Sequence, residues 1–575
     1  MGILCTFTTV APMIAILNDT IIVHPGTIDQ YLSGKAEGYT FVNYIHLFTS
    51  ELATANLWKP LGNTLILAAC SCVAAVIFGG LFAFLVTRTN MKFKKWLSAI
   101  FIFPYIMPQW TLAIVWSNVF NSSAVTGGAD GLLAGLFGIR FPQWWCEGLF
   151  PSIIVLGLHY SAFAYILIGG IFRNMDANLE EAATILDTPK YKIMSRITLP
   201  MVKPAILSTV LLVFGSSMGS YPVPHYLKLT TLSTKYIDMR VGYKGEASIL
   251  AVIMMVLGVA IMILNQISMK SRKNYTTVSG KSGQISKINL KWGKWAIAFV
   301  LLIGTFFTSI FPILSFGFET FLPNPGDYSF FKTGDFNHLT TKWWTYNDPK
   351  GEAGLYGQLG MLHNKTIWNA YGSTMLVALI TAMIAGTLGT LIGYAVSKNR
   401  RGKFANYVNN MAFIPYLMPS IAVGIAFFIL FSNDTFNLYN TRLLLIIAGT
   451  VKYIPFASRS SLSSMMQISG EIEESAVIQN VPWYKRMFKI IIPIQKSSIL
   501  SGFLLPFITC VRELSLFMVL CGQDMLLSTS IAYFDEMGLH AFSNGINLIL
   551  IVTVLVCNAL INKLTGASLD KGIGG

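Results

Sequence analysis

The chain has 575 residues, of which 54% are hydrophobic and 12% charged, about half the roughly 25% charge of a soluble globular protein. That composition excludes a soluble enzyme and a disordered chain and points to a membrane protein. The formal charge of +15 raises nucleic acid or anionic lipid as a partner, which only its distribution can decide.

Apolar runs of about 20 residues, enough to cross a ~30 Å hydrocarbon layer as a helix, recur along the whole chain. They cover 1–22, 61–87, 97–120, 150–172, 203–224 and 247–268, then 295–318, 369–397, 404–431, 441–460, 494–520 and 543–562, twelve in all. The fold class is therefore an all-α integral membrane protein. The opening MGILCTFTTVAP lacks the basic segment of a secretory signal, so no cleavage is expected.

The chain repeats itself at about 300 residues, and each predicted element has a counterpart. FTTVAPMIA (7–15) matches FTSIFPILS (307–315), but about ten apolar residues precede the second and six the first. The first span is thus short by a turn or more, and part of it is expected upstream. GNTLILAACSCVAAVIFGGLFAFLVTRTN (62–90) matches GSTMLVALITAMIAGTLGTLIGYAVSKNR (372–400), both ending in a basic turn. FIFPYIMPQ (101–109) and AFIPYLMPS (412–420) open the third spans, aligning Pro104 and Pro108 with Pro415 and Pro419. Paired prolines should kink both helices at one depth, either shaping the packing alone or walling a path.

With a cytoplasmic N-terminus, the inside segments 88–96, 173–204, 269–295, 397–405, 459–498 and 562–575 hold 27 basic and 8 acidic residues. The rest holds 14 basic and 18 acidic residues. The basic excess follows the positive-inside rule, which puts both termini in the cytoplasm and leaves no reason to invoke nucleic acid. Six spans per copy give both halves one orientation, a parallel repeat about the membrane normal with the solute path between the halves. The repeats are 1–268 and 295–575, joined by the polar, basic, Ser/Gly-rich linker 269–294. Its GKS (280–282) lacks both the earlier glycine and the preceding strand of a phosphate-binding loop.

Between the fourth and fifth spans, EEAATILDTPKYKIMSRITLPMVKPAIL (180–207) aligns without gaps with EESAVIQNVPWYKRMFKIIIPIQKSSIL (473–500), identical at 13 of 28 positions. Lipid imposes nothing on a cytoplasmic loop, so two copies of one surface imply two copies of one partner. Acidic residues crowd the first turn of a short helix (Asp176, Glu180, Glu181; Glu471, Glu473, Glu474), where the helix dipole favours them. Leu179, Ala183 and Leu186 share a face, with Ile472 and Ala476 matching the first two, and Pro189 and Pro482 stop the helix. Further on, Arg512 and Glu513 are charges inside an otherwise apolar run and aim at a cavity or lock the halves. Their repeat equivalents are Gly219 and Ser220.

The outside loops 121–149 and 319–368 carry Trp144, Trp145, Trp343 and Trp344, suited to docking or to anchoring at the interface with membrane lipid. The 7 cysteines form no CxxC and the 7 histidines show no ligand spacing, so neither a disulfide framework nor a metal site is indicated, and no cofactor motif is present.

The duplicated loops resemble the EAA loop of binding-protein-dependent ABC importer permeases: Glu-Ala-Ala, three residues, Gly, nine residues, then an aliphatic residue, one more and Leu-Pro. Glu181-Ala182-Ala183 and Glu474-Ser475-Ala476 match the first part, Ile197 to Pro200 and Ile490 to Pro493 the last. The glycine is Asp187 in one copy and Asn480 in the other, the residues after Gly that most readily turn left-handed. With VRELSLFMVL (511–520), the whole chain is similar to fused twelve-helix permeases of the ferric iron type; permeases for phosphonate, polyamine, thiamine and sugar phosphate share the same features. The resemblance implies two cytoplasmic ABC ATPase subunits, each holding one loop, an extracytoplasmic solute-binding protein, and no catalysis by the permease itself. An ion-coupled secondary transporter would need more ionisable residues at mid-membrane and leaves the loops unexplained, and no catalytic constellation suggests a membrane enzyme.

Overall fold

The computed structural model describes residues 2–174, 178–270, 288–348, 357–399, 402–433, 435–465, 470–522 and 524–565. Among them every regular element is a helix, with two isolated β-bridges, as lipid requires of backbone that finds no water partner. Most of the linker, with its GKS, and Asp176 lie outside the described residues.

The first half contains α1 (Gly2–Asp19), α2 (Lys59–Arg88), α3 (Lys94–Ile106), α4 (Thr111–Phe120), α5 (Leu149–Asn174), α6 (Asn178–Ile185), α7 (Leu199–Met218) and α8 (Lys244–Lys270). The second contains α9 (Gly293–Glu319), α10 (Lys365–Lys398), α11 (Lys403–Leu417), α12 (Ser420–Phe431), α13 (Arg442–Met465), α14 (Gly470–Ile478), α15 (Lys496–Val511) and α16 (His540–Thr565). Seven helices are long and apolar enough to span a bilayer, and four bent pairs bring the candidates to eleven among the described residues. The expected span at 441–460 is the helix α13, which stands apart from those eleven and carries Lys452 and Arg459.

Four of the expected spans change in form. The spans at 97–120 and 404–431 are not single kinked helices: α3 meets α4 at 96° and α11 meets α12 at 102°. The residues before the second prolines, Met107 and Met418, are extended, with ψ of 157° and 148°, because proline's ring excludes its predecessor from the helical region. Pro108 lies in the first break and Pro419 caps α12, while Pro104 and Pro415 stand near the ends of α3 and α11. The fifth spans, expected over 203–224 and 494–520, stop as helices at Met218 and Val511. Arg512 and Glu513 therefore sit in the turn beyond a helix end.

Glycines bring helices together at matching places in the two halves. A Cβ on Gly79 of α2 would lie 2.2 Å from the Ser161 carbonyl oxygen of α5, and one on Gly389 of α10 would lie 2.5 Å from Ala457 Cβ of α13, the close approach that small residues permit between helices in lipid. The first helix of each half packs on the other half. Thr9 Oγ1 of α1 donates to the Met411 carbonyl of α11 at 3.1 Å, and its repeat equivalent Ser309 of α9 donates to the Ile100 carbonyl of α3 at 2.8 Å. The halves thus exchange their opening helices.

Candidate functional site

Two regions gather the residues singled out by the sequence. The first is the pair of duplicated loops. Helices α6 and α14 end at Ile185 and Ile478, and the next residue but one is left-handed in both: Asp187 has φ +53° and Asn480 φ +56°. Thr188 N–H then donates to the Ala183 carbonyl and Val481 N–H to the Ala476 carbonyl, both at 3.0 Å, the closure made by a left-handed residue after a helix. The left-handed residue ends the helix; Pro189 and Pro482 stand two residues on and open the next turn, their carbonyls accepting from Lys192 and Lys485. A π-helical turn follows at repeat-equivalent positions, Met194–Thr198 and Met487–Ile491, and leads to Pro200 and Pro493 in the first turns of the helices beyond.

The adjacent glutamates separate into two environments. Glu180 and Glu473 are each 8% exposed. Glu180 pairs with Arg88 at the end of α2 and accepts from Thr198 Oγ1 at 2.6 Å. Glu473 pairs with Lys398 at the end of α10, accepts from Tyr394 Oη at 2.5 Å and lies 3.6 Å from Arg486 Nε. Burial would raise the Glu473 carboxyl, but the hydrogen bonds from Lys398 and Tyr394 and the charges of Lys398 and Arg486 hold it below its ordinary value. Arg88 and Lys398 are equivalent in the repeat, so both loops are tied to their own half by a buried glutamate paired with a basic residue, which is buried as Arg88 and exposed as Lys398. Glu181 and Glu474 are exposed. Beside them, Ile185 (84%) and Ile478 (82%) are equally exposed equivalents, as are Tyr191 and Tyr484. The apolar face expected along Leu179, Ala183 and Leu186 does not survive intact: Leu186 is exposed, Ala183 half-buried, and Ala476 buried against its own half.

The second region is a cavity of about 190 Å3 between the halves, lined from α3, α5, α7, α8, α11 to α13 and α15 and by the breaks between helices. Each break frees carbonyls that would otherwise be bonded in a helix, and a cation caps each set, Arg512 half-buried and Lys452 buried. Arg512 reaches from the second half into the first: Nη1 donates to the Tyr105 carbonyl, to Ile106 at 3.0 Å and to Met107 at 3.4 Å, with the guanidinium 5.2 Å from the Tyr105 ring. Lys452, 5% exposed on α13, donates to Pro415 at 3.0 Å, Tyr416 at 3.3 Å and Met418 at 2.5 Å. Tyr416 and Met418 are the repeat equivalents of Tyr105 and Met107. Glu513 accepts from Tyr453 Oη at 2.7 Å and from the Leu516 N–H at 2.9 Å. Gly219 packs on Pro419, where an added Cβ would come within 2.8 Å, and Ser220 donates to Gln109 Oε1 at 3.0 Å. Arg512, Glu513, Gly219 and Pro419 therefore meet at one place. Pro104, Pro108 and Pro415 are buried beside it and shape the breaks.

Lys452 and His159 are further ionisable lining residues, beyond the Arg512 and Glu513 that the sequence singles out. The signal for Lys452 is a basic residue in the middle of the apolar run 441–460, whose other two, Arg442 and Arg459, stand at its ends. For His159, isolated in α5, there was none.

The loops at 121–149 and 319–368 use their aromatics differently from the docking expectation. Trp343 is buried and donates to the Leu322 carbonyl at 2.8 Å, Trp344 donates to Thr320 at 2.9 Å, and Trp145 stacks on Phe141 at 5.6 Å. Of the four, Trp144 alone is exposed. In the loop after α1, His24 bridges Asp19 at 3.0 Å and Asp29 at 2.7 Å. Burial works against its charge, but the hydrogen bonds and charges of the two aspartates raise its pKa from 6.5 to about 9.

A model of the family described as binding-protein-dependent transport system inner membrane component matches twice, over residues 75–274 and 385–569. Relatives include the putative ferric transport system permease protein FbpB 1 of Haemophilus influenzae, 23% identical over 520 residues, covering 88% of this chain and 76% of the relative. The ferric transport system permease protein FbpB of Actinobacillus pleuropneumoniae is 22% identical over 520 residues, with coverage of 88% and 71%. A spermidine/putrescine transport system permease protein PotC homolog of Mycoplasma genitalium is 27% identical over 237 residues, 40% of this chain and 75% of the relative.

Proposed function

Because the chain belongs to the family of binding-protein-dependent transport system inner membrane components, we propose that it forms the whole membrane pathway of an ATP-binding-cassette importer. In this reading twelve spans form two parallel six-helix repeats, 1–268 and 295–575, with both termini in the cytoplasm of a multi-pass protein of the cell membrane. The observation that carries it is the repetition of the coupling loop in conformation as well as sequence: one left-handed closure, one buried glutamate paired with a basic residue behind, one exposed Glu-Ile-Tyr surface in front. Two matching surfaces call for two copies of one partner, the cytoplasmic ATPase subunits, and hydrolysis belongs to them. A solute-binding protein delivers solute to the outside loops.

Arg512, Glu513, Gly219 and Ser220, with the broken helices at Pro104, Pro108, Pro415 and Pro419, form the path between the halves. The relatives that span most of the chain are named as ferric transport permeases, which supports ferric iron as the solute.

The coupling role is tested by solute-stimulated ATP hydrolysis in proteoliposomes carrying the assembled importer. Each exposed carboxylate is available for charge-assisted hydrogen bonds of about 1.5 to 3 kcal/mol to its partner. Glu181→Ala or Glu474→Ala should weaken coupling and the double variant abolish it. Parental rates of hydrolysis and import in the double variant would refute the assignment.

A further inference from the structure

The helix breaks present carbonyl ends to the cavity, and the second also presents the start of α12. The last carbonyls of α3 and α11 suit a cation, and the first N–H groups of α12 suit an anion. The carbonyl ends are already filled, by Arg512 on Tyr105, Ile106 and Met107 and by Lys452 on Pro415, Tyr416 and Met418. The N-terminus of α12 has no side-chain cap. The oxygens a bare cation would use are therefore taken, while donors an anion would use remain.

Charge and unmet hydrogen-bonding capacity agree. Arg512 and Lys452 line the cavity with one carboxylate, Glu513, whose two oxygens accept from Tyr453 and Leu516. A hard trivalent cation needs several free oxygen ligands, and among the described residues no group of three His, Cys, Asp or Glu could hold a metal ion. Arg512 makes its hydrogen bonds through Nη1, so Nε and Nη2 remain as donors. Ser515 Oγ and His159 Nδ1 also line the cavity and lack a partner, although these residues are 2% and 4% exposed. Buried polar groups without partners in a native fold ask for a ligand or water. The space, about 190 Å3, holds on the order of six waters at ~30 Å3 each, room for a small oxyanion or part of a chelate.

We propose that this cavity takes its solute as an anion whose outer atoms are phosphate-like or carboxylate oxygens, so that iron crosses it as an anionic chelate and not as a bare ferric ion. The proposal rests on the importer reading and names the solute class for the same site. Free oxyanion and chelate share the recognising chemistry, and the test separates them.

The full chain in lipid nanodiscs is equilibrated with four probes: 32P-orthophosphate, 14C-citrate, 55Fe-citrate and terbium(III), the last standing for a bare trivalent cation. At least one labelled anion should bind at one per chain. Arg512→Gln should weaken it by about tenfold or more, the loss of one charge-assisted contact, and Arg512→Lys, which keeps the charge, should weaken it less. Terbium should not bind. Binding of phosphate or citrate without iron assigns a free oxyanion; binding of 55Fe-citrate alone assigns the chelate. Terbium binding abolished by Glu513→Gln, no binding of any labelled anion, or equal losses in the Gln and Lys variants would overturn the proposal. Co-purification of an ATPase subunit, which tests the importer reading, is scored apart from these measurements.

Discussion

Asp187 and Asn480 hold their left-handed backbone without help from glycine, and each does so at a cost of about 1 kcal/mol that a β-branched residue would increase. Asp187→Gly should leave α6 as stable as before or slightly more so, whereas Asp187→Val should lose about 1 to 3 kcal/mol of local stability. Hydrogen exchange of the amides of Ala183 to Thr188 in the intact protein distinguishes the two. His24 supplies a dependence on pH. Its folded pKa of about 9 lies above the ordinary 6.5, so the stability it adds is complete below about 6.5 and disappears as pH rises through 9. The shift corresponds to about 3 kcal/mol. The unfolding temperature should fall between pH 7 and 10, and His24→Gln should flatten that fall while lowering the plateau. At this scale the sequence is legible where a residue type is forced by its conformation, as at Asp187, or repeated, as at Glu181 and Glu474. It is not legible where one residue answers a neighbour distant in the chain. Nothing near Lys452 announces the three carbonyls it caps, because they are freed by a break more than thirty residues earlier.

The duplicated helices were readable because repetition doubles each signal, and the paired prolines located the breaks. The angle of the breaks was not readable. A proline removes one hydrogen bond and restricts the residue before it, but whether the helix resumes at a shallow kink or at 96° and 102° depends on what packs around it. Here the opening helix of the opposite half and a capping cation hold each broken pair. Glycine contact is the other device at this scale. Gly79→Val and Gly389→Val push a side chain into a helix already touching, and overpacking of this kind costs about 1 to 3 kcal/mol. Both should lower the unfolding temperature in detergent and the yield of folded protein. Gly170→Ala, at a position with open space around it, should change neither.

Across the whole molecule, the exchange of α1 and α9 divides the repeats in space differently from the way they divide along the chain. Residues 1–268 and 295–575 produced as separate chains should still co-purify, because each contributes a helix to the other, and removing residues 2–19 from the first should weaken that association. A pull-down through a tag on the second chain measures both. The two cation caps also differ in what they join. Lys452 and the carbonyls it holds belong to one half and travel together, whereas Arg512 belongs to the second half and its carbonyls to the first. Any rotation of one half against the other leaves the former cap untouched and strains only the latter. Of the two caps, then, one works like the engaging tooth of a clutch and the other like a fixed rivet, an asymmetry that a symmetric pair of identical chains could not possess.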